Sequence, residues 1–311
     1  MSLDQTILNE INEKLTRIEK KLNIVPYLET TITDFDNSIE SFQDFAKNNL
    51  KLEEITIKIY CSIILKFLNH SKGIINQNTV KQFFDSNTSD SSKSNHLKAL
   101  RKYTRDFLKL GNWIEDFKFE TNLKIKIKNI PTDYQLIQFY NLLPNEQTKL
   151  IFLFLHNSGL RIGEILKLRV KNVDTISCAI DATNIHEGET KHSWISFITS
   201  QTMQFFEDHI ISNFDEDDEK HLELLSFLVT KKTVQQSFKD ASDQLGFSIN
   251  PHLLRTVFAD RCTKSNIKDK YIDAFCGRIS KRILAKHYTA YSEDALYDEY
   301  QKVESLLTLE I

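Results

Sequence analysis

The chain has 311 residues, a formal net charge of −3, an apolar fraction of 41%, and few glycines and prolines. This length exceeds that of a usual single domain, so we expect two globular units with separate cores. No apolar run is long enough to cross a bilayer and no N-terminal stretch has the layout of a signal peptide, which excludes the common classes of membrane and secreted proteins.

The four cysteines are scattered, without a CxxC pair or a partner histidine at metal spacing. Neither a zinc site nor a disulfide framework is therefore expected, and free thiols fit a reducing compartment. We expect a soluble, cytoplasmic protein that has no membrane partner.

The net negative charge argues weakly against nucleic acid as a partner, but the local distribution of charge matters more than the sum. From Lys93 to Lys128 the chain has ten lysines and arginines against four acidic residues. Basic residues also outnumber acidic ones between His252 and Lys286. Both regions are candidates for the positive potential that phosphate binding requires.

Residues 1–25 form the first predicted element, an amphipathic helix that Pro26 ends. Its apolar residues alternate spacings of three and four, as in a coiled coil. They are Leu8, Ile11, Leu15, Ile18, Leu22 and Val25. Two interpretations stay open, a short coiled coil that joins subunits and a helix that packs against its own domain.

Residues 32–120 are predicted to form a small bundle of about four helices. Ile55, Ile59, Ile63 and Phe67 recur at near four-residue spacing, which indicates one of these helices. The last helix of the bundle carries basic residues on or near one face, either exposed to solvent or in contact with DNA. They are Lys98, Arg101, Lys102 and Arg105.

Residues 121–131 alternate apolar residues with Lys124, Lys126 and Lys128 and end at Pro131, which predicts an extended basic linker. A second domain follows at residues 132–311. Its periodicity predicts helices that are separated by a short β region. The helices are expected at 133–143, 146–157, 162–168, 234–245, 253–262, 270–275 and 293–307, and a strand at 194–198.

This pattern predicts a mainly α chain in which the second domain also has a small antiparallel β-sheet (α+β), preceded by an all-α helical domain. Short β-prone pieces between Val173 and Thr199 account for the sheet.

The first motif with chemical meaning runs from Asn157 to Leu168. Gly159 is placed to end one helix and Arg161 to begin the next, so that a guanidinium projects from a helix N-terminus, which favours anions. Glu164, one turn later, is placed to hold the arginine. Alone, this motif would describe an arginine in an exposed turn.

A second motif makes the first one informative. His252 and Arg255 lie three residues apart in a predicted helix, a spacing that puts them on one face. Two guanidiniums and an imidazole suit a phosphodiester, because arginine donates to its non-bridging oxygens and stabilises the charge of the pentacovalent transition state. The imidazole can bind the phosphate or assist proton movement.

Residues 275–278 and 285–289 form a third motif, which includes Arg278, His287 and Tyr288. Together the three motifs resemble those of the tyrosine recombinases, the phage-type integrases. Two features depart from the common pattern of that family. Arg278 stands where His or Trp is usual, and the interval to Tyr288 is one residue longer. Integrases of archaeal viruses and plasmids vary similarly here.

The resemblance implies a role for each matching residue. Tyr288 would be the nucleophile, supported by His287, and Arg161, Arg255, His252 and Arg278 would bind and activate the phosphate. Lys191, in a segment similar to the family's β-hairpin, would protonate the leaving 5′-oxygen. Tyr291 competes with Tyr288 for the nucleophile's role, but Tyr288 has the matching threonine after it and fits the family spacing better.

By resemblance, residues 32–120 would be a core-binding domain and residues 132–311 the catalytic domain, which together clamp duplex DNA. The enzyme would cut and rejoin DNA at a specific recombination site through a 3′-phosphotyrosyl intermediate and a Holliday junction, as a tetramer on paired sites. Neither metal nor another cofactor is expected, because the covalent link conserves the phosphodiester energy.

Two alternatives stay open from the sequence. A type IB topoisomerase would use nearly the same site to relax DNA as a monomer. A non-catalytic DNA-binding relative is suggested by Arg278 and the irregular spacing.

Overall fold

The computed structural model describes residues 30–87, 90–119, 129–183, 185, 194–213, 222–278 and 292–311. The chain divides into two compact units, Met1–Lys126 and Ile127–Ile311. None of the helices in the described ranges is long and apolar enough to span a membrane. The predicted helix at residues 1–25 and residues 121–128 of the predicted linker lie outside the described residues.

The N-terminal unit is built mainly from helices. Its described helices are α1 (Phe35–Asn48), α2 (Glu54–Ser71), α3 (Gln77–Asn87) and α4 (Asp90–Arg101), followed by a π-helical turn (Lys102–Phe107) and a 3-10 turn (Trp113–Asp116). Aromatic rings fill the core between them, and Phe42, Phe67 and Tyr103 are fully buried. The hydroxyl groups of Tyr103 and Ser38 lie 2.5 Å apart, which satisfies the buried phenol.

A short pair of strands corrects the expectation of an all-α first domain. Strands β1 (Thr30–Thr31) and β2 (Ile74–Ile75) run antiparallel, with Thr30 opposite Ile75. Lys72 and Gly73 have φ angles of 53° and 81°, which turn the chain sharply at the end of α2. The residues that follow then lie extended beside the start of the unit.

Helix α2 is confirmed, but the apolar row that predicts it does not stay on its buried side. Ile55 and Ile59 are 65% and 52% exposed, whereas Ile63 and Phe67 are buried. Four residues overshoot one turn of 3.6 residues by about 40°, so a row with this spacing winds around the helix. The sequence pattern therefore identifies the helix better than its inner face.

The C-terminal unit combines helices with a small sheet. Its described elements are α5 (Asp133–Asn141), α6 (Glu146–Ser158), α7 (Ile162–Ile165), β3 (Val173–Asp174), β4 (Ala179–Asp181), β5 (Ile195–Phe197), α8 (Ser200–His209), α9 (Lys231–Leu245), α10 (Pro251–Lys264), α11 (Asp269–Phe275) and α12 (Glu293–Leu307). The strands form an antiparallel sheet in the order β3-β4-β5, with Val173 opposite Ile180 and Ile180 opposite Ser196. The predicted β region is thus a three-stranded sheet.

Helix α6 lies at the centre of this unit. Every residue from Leu150 to Ser158 is buried, because α8, α10, α12 and strand β5 pack around the helix. An apolar helix that is covered on all sides has no solvent face and shows little amphipathic pattern.

Helix α12 packs against its own unit, on α10, α6 and β5. Leu296, Tyr300, Val303 and Leu307 are buried in this contact, and Leu309 beyond the helix is buried as well. The described end of the chain is therefore part of the core of the C-terminal unit.

A buried arginine fastens this end of the chain. Arg261 of α10 is 6% exposed and donates to the carbonyl of Leu306 and to the carboxylate of Asp133 at the start of α5. One guanidinium with several donors in a fixed fork thus joins three helices.

Gly159 ends α6 in the left-handed conformation, with φ 67°. A Cβ atom at this position would lie 2.5 Å from the ring of Phe258 on α10. Both the backbone angle and the close approach of α10 require glycine.

We predict that Gly159→Ala lowers the free energy of unfolding by roughly 2–5 kcal/mol, because overpacking costs about 1–3 kcal/mol and a left-handed backbone about 1–2 kcal/mol. Gly246→Ala is the matched control, since Gly246 also ends a helix, with φ 74°, but a Cβ atom there would meet nothing within 4 Å. It is expected to lose only about 1–2 kcal/mol. Urea denaturation followed by circular dichroism measures both, and equal losses would contradict the clash.

Candidate active site

The turn between α6 and α7 holds Arg161. Its backbone N–H donates to Oε2 of Glu164 at 2.6 Å, and its Nη1 donates to Oε1 of the same carboxylate at 2.5 Å. Glu164 is fully buried, whereas the side chain of Arg161 is 34% exposed. The acid therefore fixes the arginine, while about a third of the arginine side chain stays exposed.

Helix α7 is shorter than the predicted helix at 162–168. It ends at Ile165, and the following turn is held by bonds from Lys167 to Glu164 and from Leu168 to Ile165. The carbonyl of Leu168 then accepts from the N–H of Ser226 at 2.8 Å. This tertiary pairing replaces the next helical bond, so the chain leaves the helix.

Arg255 of α10 is the deepest cation of the site, with 5% exposure. Its Nη1 donates to the carbonyl of Gly159 at 2.8 Å, and its Nη2 donates to the carbonyl of Cys276. The two carbonyls come from distant parts of the chain. Arg255 therefore joins the turn before Arg161 to the turn after α11.

The turn at residues 276–278 connects the arginines. The carbonyl of Gly277 accepts from Nη2 of Arg161 at 3.4 Å, next to the carbonyl of Cys276 that Arg255 uses. Gly277 has φ 54°, and the N–H of Arg278 donates to the carbonyl of Asp273 at 2.7 Å. Successive carbonyls of one tight turn thus orient two guanidiniums.

Arg278 brings a third positive charge to this place. Its side chain is 51% exposed and lies 3.5 Å from Oδ1 of Asp273. Among the described residues, the arrangement therefore has three guanidiniums, on Arg161, Arg255 and Arg278, and two carboxylates close to them, on Glu164 and Asp273. Positive charge is in excess, which favours an anionic ligand.

Burial is the main cause that lowers the pKa of the Arg255 guanidinium. The positive charges of Arg161 and Arg278 act in the same direction, whereas Cys276 and Glu164 act against it. Arginine keeps its proton in proteins, so the shift reflects a charge that is held in an unfavourable environment. An anion bound between the guanidiniums would relieve it.

His252 lies in the first turn of α10, three residues before Arg255, and is exposed. Asn250 caps the helix by accepting from the N–H of Leu253 at 2.9 Å, and Pro251 occupies the first turn, where its missing donor costs nothing. The helix start thus presents the imidazole at the surface. Lys191, His287, Tyr288 and Tyr291 lie outside the described residues.

Three of the basic residues predicted to bind DNA, on the last turns of the helical bundle, have acidic partners within the chain. Lys102 pairs with Asp106 at 2.9 Å. Arg105 binds both Asp106 and Glu115, and Arg101 lies 3.1 Å from Glu115. These contacts fasten the 3-10 turn to the π-helical turn.

Lys98, one turn earlier in α4, is exposed. Lys124, Lys126 and Lys128 lie outside the described residues.

The sequence did not predict two kinds of contact at this site. The carbonyls of Gly159 and Cys276 orient Arg255, yet every residue has a carbonyl, so no residue type signals this role. Asp273, the partner of Arg278, could have been proposed from the sequence, because it is an acidic residue five positions before the arginine and near a helix end.

We predict that Arg255→Ala lowers the free energy of unfolding by about 3 kcal/mol or more, because two buried carbonyls lose their donor at about 1–3 kcal/mol each. Arg278→Ala is the control for loss of charge at the same site. It should cost less than about 1 kcal/mol, since its ion pair is exposed. Urea denaturation measures both variants, and similar losses would show that the bridge of Arg255 contributes little.

A family model for the phage integrases matches residues 133–294, about half of the chain. The chain is 25% identical over 267 residues to the tyrosine recombinase XerA of Saccharolobus solfataricus, covering 80% of this chain and 87% of the relative. It is 20% identical over 265 residues to transposase A from transposon Tn554 of Staphylococcus aureus, covering 80% of this chain and 70% of that relative.

Solved structures show the same fold. The Tn1549 transposon integrase in complex with a circular intermediate DNA gives a TM-score of 0.60 at 14% identity, covering 85% of this chain and 98% of that one. A lambda integrase dimer bound to a COC′ core site gives a TM-score of 0.55 at 14% identity, covering 85% of this chain and 99% of that one. The mostly helical chain with small antiparallel sheets thus matches the architecture of tyrosine recombinases. The chain belongs to the phage integrase family and is a tyrosine recombinase, an enzyme that transfers DNA strands.

Proposed function

We propose that this recombinase cuts and rejoins DNA at a specific site through a covalent bond between Tyr288 and a 3′-phosphate. The observation that carries the proposal is the convergence of Arg161, Arg255 and Arg278 around the turn at residues 276–278. Planar guanidiniums bind phosphate oxygens bidentately, and their charge stabilises the transition state more than the ground state.

The proposed reaction combines this arrangement with the roles that the resemblance to the family implies. The scissile phosphate binds between Arg161 and Arg255, and Arg278 adds positive charge from the rim. The phenolic oxygen of Tyr288 attacks phosphorus and loses its proton, with His252 assisting, while the bond from phosphorus to the 5′-oxygen breaks. A phenol has an unperturbed pKa near 10, and the neighbouring cations favour its charged form.

Lys191 acts as the general acid and His287 supports the nucleophile. Lys191 donates the proton with which the 5′-hydroxyl leaves, because an alkoxide is a poor leaving group. The 5′-hydroxyl of a partner strand then attacks the phosphotyrosine and restores the phosphodiester. Each bond that breaks is replaced by one of similar energy, so the cycle needs no other energy source.

Residues 32–120 serve as a core-binding domain and residues 132–311 as the catalytic domain, with the basic linker at 121–131 against the DNA backbone. Lys98 and Lys124, Lys126 and Lys128 neutralise phosphates directly. Arg101, Lys102 and Arg105 bind DNA only where phosphate competes with Asp106 and Glu115 for them.

Four subunits in the cytoplasm join two duplexes through a Holliday junction, with one tyrosine for each strand. The crystallised relatives that hold transposon or core-site DNA support a duplex partner. A tetramer on paired sites distinguishes this function from strand relaxation by a single subunit.

We predict that the wild-type protein forms a covalent adduct with a nicked duplex whose sequence it has selected from a random pool, and that Tyr288→Phe forms none. The nick lets the cut fragment diffuse away, so the adduct accumulates for detection by denaturing electrophoresis. Tyr291→Phe is the matched control and should form the adduct at the wild-type rate.

The opposite result for the two tyrosines would move the nucleophile to Tyr291. If the wild type binds a selected site and forms no adduct, the protein is a non-catalytic relative. Relaxation of supercoiled DNA without junction products would instead identify a topoisomerase.

We predict that Lys191→Ala slows adduct formation by about 10²–10⁴-fold, the usual contribution of a general acid. A substrate with sulfur in place of the bridging 5′-oxygen should restore the rate, because a thiol has a pKa near 8.5 and leaves without a proton. The same substrate should not rescue Arg161→Ala, whose defect is in charge stabilisation. Failure to rescue Lys191→Ala would exclude it as the acid.

A further inference from the structure

Three successive carbonyls at the end of α6 each accept a hydrogen bond from a different element. Tyr300 Oη of α12 donates to the carbonyl of Asn157 at 3.1 Å. Ser196 Oγ of β5 donates to that of Ser158 at 2.6 Å, and Arg255 Nη1 of α10 donates to that of Gly159 at 2.8 Å. The three donor residues are at most 5% exposed.

These carbonyls belong to the end of a helix, where backbone acceptors have no partner within the helix. The glycine at such an end commonly allows the following N–H groups to return and satisfy them. Here the N–H of Leu160 donates to Ser158 Oγ at 3.2 Å instead. Side chains from outside the turn therefore satisfy its acceptors and fix its path.

The fixed turn leads directly to Arg161, two residues beyond Gly159. Its guanidinium must lie within hydrogen-bond distance of a phosphate oxygen, and a displacement of about 1 Å can cost about 10²-fold in rate. The contacts of Arg161 with Glu164 set its orientation relative to α7. They do not set where the turn itself lies relative to α10 and β5.

The side chain of Asn157 connects the end of α6 to α12 and α8. Its Nδ2 donates to the carbonyl of Leu307 at 3.0 Å, and its Oδ1 accepts from Oγ1 of Thr202 at 2.5 Å. The end of α12 is thereby tied to the residue whose carbonyl Tyr300 caps. Movement of α12 would be transmitted to the turn before Arg161.

We propose that Tyr300 and Ser196 are positioning residues for Arg161, a role that rests on the proposed function. Each donor stands in an element that adjoins a catalytic segment. Strand β5 follows the segment with Lys191, α12 follows the segment with Tyr288, and α10 carries His252 and Arg255. The turn of Arg161 is thus held by described elements that adjoin these segments in the sequence.

The test compares Tyr300→Phe and Ser196→Ala, which each delete one hydroxyl, with two controls. Tyr297→Phe deletes a phenolic hydroxyl from the same helix at a residue that is 40% exposed, and Ser200→Ala deletes an exposed hydroxyl that donates to Glu304. Single-turnover adduct formation at saturating DNA, the DNA dissociation constant and the melting temperature are measured for each. All rates are measured well below the melting temperatures.

We expect Tyr300→Phe and Ser196→Ala to lower the adduct rate at least about tenfold with a dissociation constant within about twofold of wild type. The controls should keep the wild-type rate. A lower melting temperature with an unchanged rate at saturating DNA would overturn the proposal, because the two hydroxyls would then stabilise the fold without placing Arg161.

Hydrogen exchange separates this proposal from the proposed function. Amides from Gly159 to Glu164 should exchange faster in Tyr300→Phe and Ser196→Ala than in the controls, since the turn has lost a fixed contact. If the wild type forms no adduct, the proposed function fails, and exchange alone decides whether the hydroxyls hold the turn. Unchanged exchange at these amides would overturn the positioning role in either case.

Discussion

The site depends on the hydrogen bonds that the buried guanidinium of Arg255 makes. A cation at 5% exposure is stable only where hydrogen bonds and opposite charge replace water. The carbonyls of Gly159 and Cys276 supply the hydrogen bonds, and Glu164 supplies the charge. Because these groups come from two segments far apart in the chain, the arginine fixes the relative positions of the ends of α6 and α11. Arg161 and Arg278 are attached to these ends.

The same interaction lies within an excess of positive charge among the described residues of the site. Arg161 and Arg278 add to the positive charge around Arg255, and the carboxylates of Glu164 and Asp273 balance only part of it. Holding like charges together costs free energy, which the apolar core around α6 offsets. The buried helix α6 therefore provides the stability that the charged turn at its end requires.

Gly159, Arg161 and Arg255 were singled out from the sequence because the motifs around them resemble those of a known family. The structure brings Arg161 and Arg255 to the same turn. The acidic partners of Arg101, Lys102 and Arg105 were not predicted. Acidic residues such as Asp106 and Glu115 are common, and only their distances in the fold show which of them pair with these cations. The shortening of α7 was also missed. It depends on pairing between Leu168 and Ser226, which are far apart in the chain.

The sequence by itself determined most helices and the β region of the C-terminal unit and the turn at Gly159, because these depend on periodicity and on residues within a few positions of each other. It also indicated the family, because three motifs follow each other in the family's order. Helix α8 (Ser200–His209) was not predicted. Only the tertiary structure decided that Ile55 and Ile59 face solvent, that α12 packs on its own unit, and which carbonyls orient Arg255. Burial and hydrogen-bond partners are properties of what surrounds a residue. Every residue has a backbone carbonyl, so only the fold decides which carbonyl accepts from a given donor.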